Sequence, residues 1–169
     1  MNLKRSIFYF PLIVTLFFNS CSTSKKGILN QEYHTLTTKF NVLFNGKEAF
    51  SIGEEILSDA FEENFYELLP VEPINLRGEN IDETTIIPGF DRAEEKAVKA
   101  IQKHSLKIND IQYNRQIDDA YLLLGKARYF DRRLFPALEA FNFLLESPTN
   151  RNSYVEGKIW REKTNIRLR

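Results

Sequence analysis

QIDDAYLLLGKARYFDRRLFPALEAFNFLLESP, residues 116–148, is the stretch that decides the fold. Its first half predicts a helix that has on one face Tyr121, Leu124, Gly125, Arg128 and Tyr129. Its second half repeats apolar residues at the helical spacings of three and four, namely Ala137, Phe141, Leu144 and Leu145. Pro148 ends this second run, because a proline cannot continue a helix interior. The stretch predicts two amphipathic helices joined by a tight turn.

The order aromatic, Leu-Gly, aromatic, Ala, Phe, Pro in this stretch is similar to a tetratricopeptide repeat. Gly125 and Ala137 are small where two helices must approach closely, and Phe141 is large enough to fill the groove between them. The similarity implies an all-α protein of tetratricopeptide-like αα-hairpin repeats, an α-solenoid. Such a motif is a scaffold rather than a reaction centre.

The composition is that of an ordinary globular chain with an uneven distribution of charge. The 169 residues allow one domain or two small ones, and the net charge is zero. Residues 51–100 hold 13 acidic and 4 basic side chains, a net of −9, whereas residues 111–169 hold 7 acidic and 11 basic ones, a net of +4. This asymmetry either steers a partner or reflects two solvated faces. The modest basic end carries no nucleic-acid motif.

The first 20 residues have the features of an export signal. Lys4 and Arg5 precede an apolar run over residues 7–18, which is too short to span a bilayer comfortably. The segment resembles a bacterial lipoprotein signal peptide, with residues 18–21 as a loose lipobox. That resemblance implies cleavage before Cys21 and its lipidation, for example by palmitate, at a membrane surface. The alternatives are a plain secretory signal with an incidental cysteine and an uncleaved anchor.

Residues 21–28 would then be the lipidated cysteine and its tether. Lys25 and Lys26 have no acidic residues near them. Surface-export tags of Bacteroidetes lipoproteins are typically acid-rich, so the tether favours a periplasm-facing site on the outer membrane. Because Cys21 is the only cysteine, the chain cannot form an intramolecular disulfide.

Residues 29–61 are predicted to form a second, degenerate helical hairpin. The turn signal is Asn45-Gly46. The stripe before it is Tyr33, Leu36, Phe40, Leu43 and Phe44, and the stripe after it is Ala49, Phe50, Gly53, Ile56 and Leu57. Tyr33 precedes Ala49 by sixteen residues, the same separation as between Tyr121 and Ala137.

An extended acidic connector is predicted over residues 62–90, where Pro70 and Pro73 exclude regular helix. Residues 91–169 return to tetratricopeptide-like helices, beginning at Asp91 as N-cap. The buried stripe predicted for that helix is Ala93, Ala97, Ala100 and Ile101, and residues 105–114 form a loop. A last helix over residues 154–168 would bury Ile159, Trp160, Ile166 and Leu168 and would be the first helix of a further repeat.

No catalytic constellation stands out. His34 and His104 lie far apart in sequence and in no metal-ligand spacing, and neither Gly-Lys pair has the preceding glycine of a phosphate-binding loop. The acidic pairs Glu54-Glu55, Glu94-Glu95 and Asp118-Asp119 diverge by about 100° on a helix and are expected to be solvated. The sequence predicts no enzyme, no cofactor, no metal and no small-molecule substrate.

Three stretches together resemble one family more closely than a generic repeat. They are FNVLFNGKEAF (residues 40–50), RAEEKAVKAIQKHS (residues 92–105), and residues 118–145 with 158–168. With ELLPVEP between them, they are similar to the N-terminal region of the SprE/PorW lipoproteins of Bacteroidetes. The resemblance implies a tetratricopeptide-containing lipoprotein of the type IX secretion system and gliding motility. Its partners would be ring or translocon components.

The concave face of the repeats is expected to bind the partner, with Tyr121, Lys126, Arg128 and Tyr129 near the groove. Two other functions remain open. One is a generic tetratricopeptide lipoprotein adaptor in outer-membrane or envelope assembly. The other is a lipoprotein that acts on peptidoglycan or another carbohydrate, for which the sequence shows no carboxylate or metal constellation.

Overall fold

The computed structural model describes residues 27–59, 61, 63, 65, 66, 72 and 88–169, and these residues are mostly helical. The all-α prediction is confirmed. The predicted signal peptide, Cys21 and most of the acidic connector lie outside the described residues. Within the described ranges, every helix is too short or too polar to cross a bilayer.

The chain forms an array in which each helix packs against the next one. The helices are α1 (Ile28–Thr37), a π-helical segment (Thr38–Leu43), α2 (Phe44–Asp59), α3 (Phe90–His104), α4 (Gln116–Phe130), α5 (Leu134–Glu146) and α6 (Arg151–Arg167). Two short strands, β1 (Lys107–Ile108) and β2 (Ile111–Gln112), pair antiparallel between α3 and α4. They are joined by Asn109 and Asp110, both at positive φ.

The predicted hairpin over residues 29–61 is wrong, because α1, the π-helical segment and α2 form one continuous helical run. Asn45-Gly46 is helical rather than a turn. Gly46 is small because α2 passes close to α4 there: an added Cβ would lie 2.9 Å from Leu123 Cδ2. Of the first predicted stripe only Leu43 is buried, while the second is largely buried, with Ile56 exposed.

The helix predicted from residue 91 begins one residue earlier, at Phe90. Asp91 still acts at this end, since its carboxylate accepts a hydrogen bond of 3.1 Å from the Gly89 backbone N–H. Gly89 has φ 108°, and an added Cβ would collide with the Ala49 backbone oxygen, so only glycine fits. The predicted burial of Ala93, Ala97 and Ala100 is confirmed.

The helices predicted within residues 116–148 are confirmed as α4 and α5. A Cβ added to Gly125 would lie 2.6 Å from Phe141 Cδ1, so the predicted close approach filled by this ring is also confirmed. Ala137 is fully buried.

Aromatic rings join four helices at one end of the core. Phe90 and Phe130 stack with centroids 5.4 Å apart. Phe50 and Trp160 pack against Phe130 at 5.5 and 5.7 Å. The aromatic side chains therefore connect α2, α3, α4 and α6.

The apolar stripe predicted for the last helix is wrong in part. Ile159 and Ile166 are 56% and 69% exposed. The buried positions of α6 are instead Ser153, Gly157 and Thr164. Small residues are required because a Cβ on Gly157 would lie 2.5 Å from Leu144 Cδ2, so the backbone of α6 packs close to α5.

Candidate partner-binding surfaces

A groove of about 390 Å³ lies between α2, α4 and α6. We call it the charged groove, since four ionisable side chains line it together with apolar and amide ones. Its lining residues are Lys47, Phe50, Asp119, Leu122, Leu123, Lys126, Asn150, Asn152, Ser153 and Glu156.

The charged side chains of this groove are held by neighbours across helices. Lys126 Nζ lies 3.3 Å from Glu156 Oε1 on α6 and 5.2 Å from the centre of the Phe50 ring on α2. Asp119 Oδ1 accepts a hydrogen bond of 2.5 Å from Ser153 Oγ. Lys47 Nζ is 3.9 Å from Asp119 Oδ2, and 60% of its side chain remains exposed. The groove thus presents both signs of charge above an apolar floor.

A second groove, of about 260 Å³, is lined by α3, α4 and α5, and we call it the aromatic groove. Tyr121 and Phe143 stack along it with centroids 5.9 Å apart. The other lining residues are Val98, Ile101, Gln102, Leu124, Arg128, Glu139 and Ala140.

The four residues predicted to contact a partner do not form one site. Lys126 lines the charged groove, whereas Tyr121 and Arg128 line the aromatic groove. Tyr129 is only 1% exposed and belongs to the core, which corrects its predicted place near a groove. The reason is geometric: two residues along a helix turn by about 200°, so Lys126 and Arg128 face different neighbours.

Arg128, which lines the aromatic groove, forms part of an ion-pair network. Its Nε donates to Glu94 Oε1 at 2.8 Å, and its Nη1 donates to the Pro136 carbonyl at 3.1 Å. Arg133 also pairs with Glu94 and donates from Nε to Asp131 Oδ2 at 2.6 Å. Burial raises the pKa of Glu94, but the hydrogen bonds and charges of the two arginines outweigh burial and hold that pKa below its usual value.

Tyr129 connects the core to the segment between α2 and α3. Its hydroxyl donates to Glu72 Oε2 at 2.9 Å, and the same carboxylate pairs with Lys163 of α6. Burial and the hydrogen bond to Glu72 raise the pKa of Tyr129 to about 12. Sequence reasoning missed this contact because Glu72 lies 57 residues from its partner and in no pattern.

Asp118 is a second residue that the sequence misassigned, since it is buried rather than solvated. Its Oδ2 accepts hydrogen bonds from the backbone N–H groups of Thr149 and Asn150, both at 2.6 Å, and from Thr149 Oγ1 at 3.0 Å. The carboxylate therefore holds the loop between α5 and α6. Sequence reasoning missed this contact because Thr149 and Asn150 lie 31 and 32 residues from Asp118 and in no pattern with it.

The two histidines form a buried pair, with their Nδ1 atoms 3.0 Å apart. Burial lowers the pKa of His34, and burial followed by the charges of His34 and Lys99 lowers the pKa of His104. Metal binding would need further ligands. Among the described residues, His, Cys, Asp and Glu side chains form no group of three that could hold a metal ion.

The chain matches no protein-family model and no curated protein.

Proposed function

We propose that this protein is a non-enzymatic scaffold, lipidated at Cys21, that binds partner proteins through the charged groove. In this proposal α4 and α5 are one tetratricopeptide-like hairpin, α3 ends the preceding unit and α6 begins the next one. The packing of Gly125 against Phe141 supports the hairpin assignment. The charged groove then lies on the side formed by the first helices of successive units, which is the concave side of an α-solenoid.

The observation that carries the binding proposal is the composition of the charged groove. Leu122 and Leu123 give it an apolar floor, and Lys47 and Asn152 stand exposed at its rim. A partner segment gains affinity from burying apolar side chains and specificity from polar groups placed around them. An extended polypeptide that carries both kinds of side chain fits this surface.

The cellular role that we propose is in the type IX secretion and gliding machinery, on the periplasmic side of the outer membrane. Support comes from the resemblance of residues 40–50, 92–105 and 118–145 to the SprE/PorW lipoproteins and from the basic tether after Cys21. Ring or translocon proteins would be the direct partners. No cofactor and no small-molecule substrate enters this proposal.

Gene deletion separates this role from that of a generic envelope adaptor. Loss of type IX cargo secretion and of gliding, restored by the wild-type gene, would support the proposal. Porin or envelope defects with normal cargo secretion would contradict it and favour the generic adaptor. Complementation with Cys21→Ser tests the anchor, because an unlipidated chain should restore neither phenotype if membrane attachment is required.

A further inference from the structure

The helical run that follows Cys21 carries an apolar stripe that is exposed in the part of the chain that the structure describes. Leu29 is 86% exposed and Phe40 is 64% exposed. Tyr33, Leu36 and Phe44 lie between 51% and 56%. We call these five side chains the outer stripe. Several exposed apolar side chains that adjoin one another on one helix face indicate an interaction surface.

The π-helical segment keeps the outer stripe on one side of the helix. Residues four apart rotate by more than one full turn in an α-helix and by less than one in a π-helix, so the two offsets compensate across this segment. On the outer side this aligns Leu36, Phe40 and Phe44. On the inner side the same spacing gives a buried line of His34, Thr38, Val42 and Gly46. The inner face is buried against the other described helices, whereas the outer face carries the exposed apolar side chains.

Positive charge accompanies the outer stripe. Residues 22–45, from the tether to the end of the outer stripe, contain three lysines and one glutamate, a net of +2. Lys39 Nζ lies 5.0 Å from the centre of the Phe40 ring, beside the stripe. Lysine stems cover apolar surface while their ammonium groups reach outward to water or to lipid phosphates.

We propose that the outer stripe lies in the interface of a lipid bilayer that carries anionic headgroups. This inference rests on the proposed lipidation of Cys21. Ile28 follows Cys21 by seven residues, so the helix begins within about 25 Å of the acyl chains even when the tether is fully extended. A helix with an apolar face and flanking lysines binds such an interface in plane, and the tether keeps its local concentration high.

Charge and shape favour a membrane over a protein as the occupant. The outer stripe is convex along a single helix, and neither groove includes any of its residues. A flat bilayer interface can receive a convex row of aromatic and aliphatic side chains without a matching cavity. A second copy of the same segment would bring like charges together, since each copy carries a net of +2.

The depth of a spin label on the lipidated full chain tests the proposal. A nitroxide is attached at Phe40→Cys, which supplies the free thiol once Cys21 is lipidated. The matched control is Phe135→Cys on α5, where the native side chain is 72% exposed. Both proteins are reconstituted in vesicles of phosphatidylethanolamine and phosphatidylglycerol. Oxygen, which enters the bilayer, and a water-soluble nickel complex report the depth of each label.

We expect the label at position 40 to lie about 5–10 Å below the headgroups and the label at position 135 to remain in water. If the mass of the protein confirms lipidation and both labels are nevertheless exposed to water, the inference is overturned, while the scaffold proposal stands. Protection of position 40 in lipid-free solution that grows with protein concentration would also overturn it, in favour of self-association.

The unlipidated mature chain allows membrane binding by the outer stripe to be measured without attachment by the acyl chains. The fraction of this protein that sediments with the same vesicles should fall at least tenfold in the variants Phe40→Glu and Leu36→Glu. It should stay unchanged in Phe135→Glu. Circular dichroism verifies that each variant is folded. Equal binding by all three variants would contradict the inference. If Cys21 carries no lipid in cells, the anchor proposal fails, and this measurement still decides whether the outer stripe binds lipid.

Discussion

The Nδ1 atoms of His34 and His104 lie 3.0 Å apart in the interior, although the two residues are 70 positions apart in sequence. Asn114 closes the same cluster, because its Nδ2 donates to the His104 carbonyl at 2.9 Å and to Thr38 Oγ1 at 3.1 Å. The Thr38 hydroxyl in turn donates to the His34 carbonyl at 2.6 Å. Polar contacts thus join α1, the π-helical segment, α3 and the approach to α4.

This histidine pair should make the stability of the protein depend on pH. The folded state lowers both pKa values below 6.5, so the unfolded chain takes up protons first as the pH falls. Stability is therefore complete above pH 6.5 and decreases as the pH falls from there toward the folded pKa values. We expect the urea midpoint to drop between pH of about 7.5 and about 5.

The chain offers a clean control for that measurement, since it contains two histidines in all. In the double variant His34→Gln, His104→Gln, the part of the pH dependence that lies near pH 6.5 should disappear. A wild-type protein whose urea midpoint is the same on both sides of pH 6.5 would show that the pair is not buried as described.

Gly125→Ala should destabilise the protein by about 1–3 kcal/mol, because the added methyl group overlaps the buried Phe141 ring. The helix propensity of alanine offsets part of this loss. Gly27→Ala is the matched control, because nothing lies within 4 Å of an added Cβ there. Urea denaturation measures both. An equal or larger loss for Gly27→Ala would contradict the close approach of α4 and α5.

Asp118→Ala should cost about 2–3 kcal/mol, because it leaves two backbone N–H groups of the α5–α6 loop without their carboxylate. Asp118→Asn should cost less, since its amide oxygen can still accept these bonds. Exposed Glu48→Ala should change the free energy of unfolding by no more than about 0.5 kcal/mol. Equal effects of the Asp118 and Glu48 substitutions in thermal or urea unfolding would show that the loop is not held in this way.

Tyr129 should contribute to loss of stability in alkali. Its pKa is raised to about 12 in the folded state, so the folded protein keeps the phenol proton that the unfolded chain loses near pH 10. The stabilisation is complete below pH 10 and is lost as the pH rises toward 12. Tyr129→Phe should lower stability at neutral pH and flatten this alkaline decline. An unchanged decline in denaturation experiments on the variant would refute the contact with Glu72.

Local periodicity predicted those parts of the fold in which close neighbours in sequence also determine packing. The alanine stripe of α3 and the contact between Gly125 and Phe141 follow from helical spacing and side-chain size alone. Asn45-Gly46 misled the prediction because a glycine required by tertiary packing against Leu123 has the same local signature as a turn. Packing between helices, and not the local sequence, determines the backbone conformation at Asn45-Gly46.

The polar contacts could not be predicted in the same way. The histidine pair and the hydrogen bond between Tyr129 and Glu72 join residues 70 and 57 positions apart, and such contacts leave no periodic trace. The candidate binding residues were expected on one face, but α4 packs against helices on several sides. As a result, Lys126 and Arg128 lie in separate grooves.

The most direct test of the scaffold proposal is site-specific photo-cross-linking in cells with Cys21 intact. A benzophenone amino acid replaces Lys47 or Asn152 at the rim of the charged groove, Gln102 at the aromatic groove, or Lys158 on the exposed side of α6 as the control. We predict cross-links to type IX ring or translocon proteins from positions 47 and 152 and none from position 158. Equal cross-linking from all four positions, or exclusive capture of barrel-assembly or cell-wall proteins from the charged groove, would contradict the proposal.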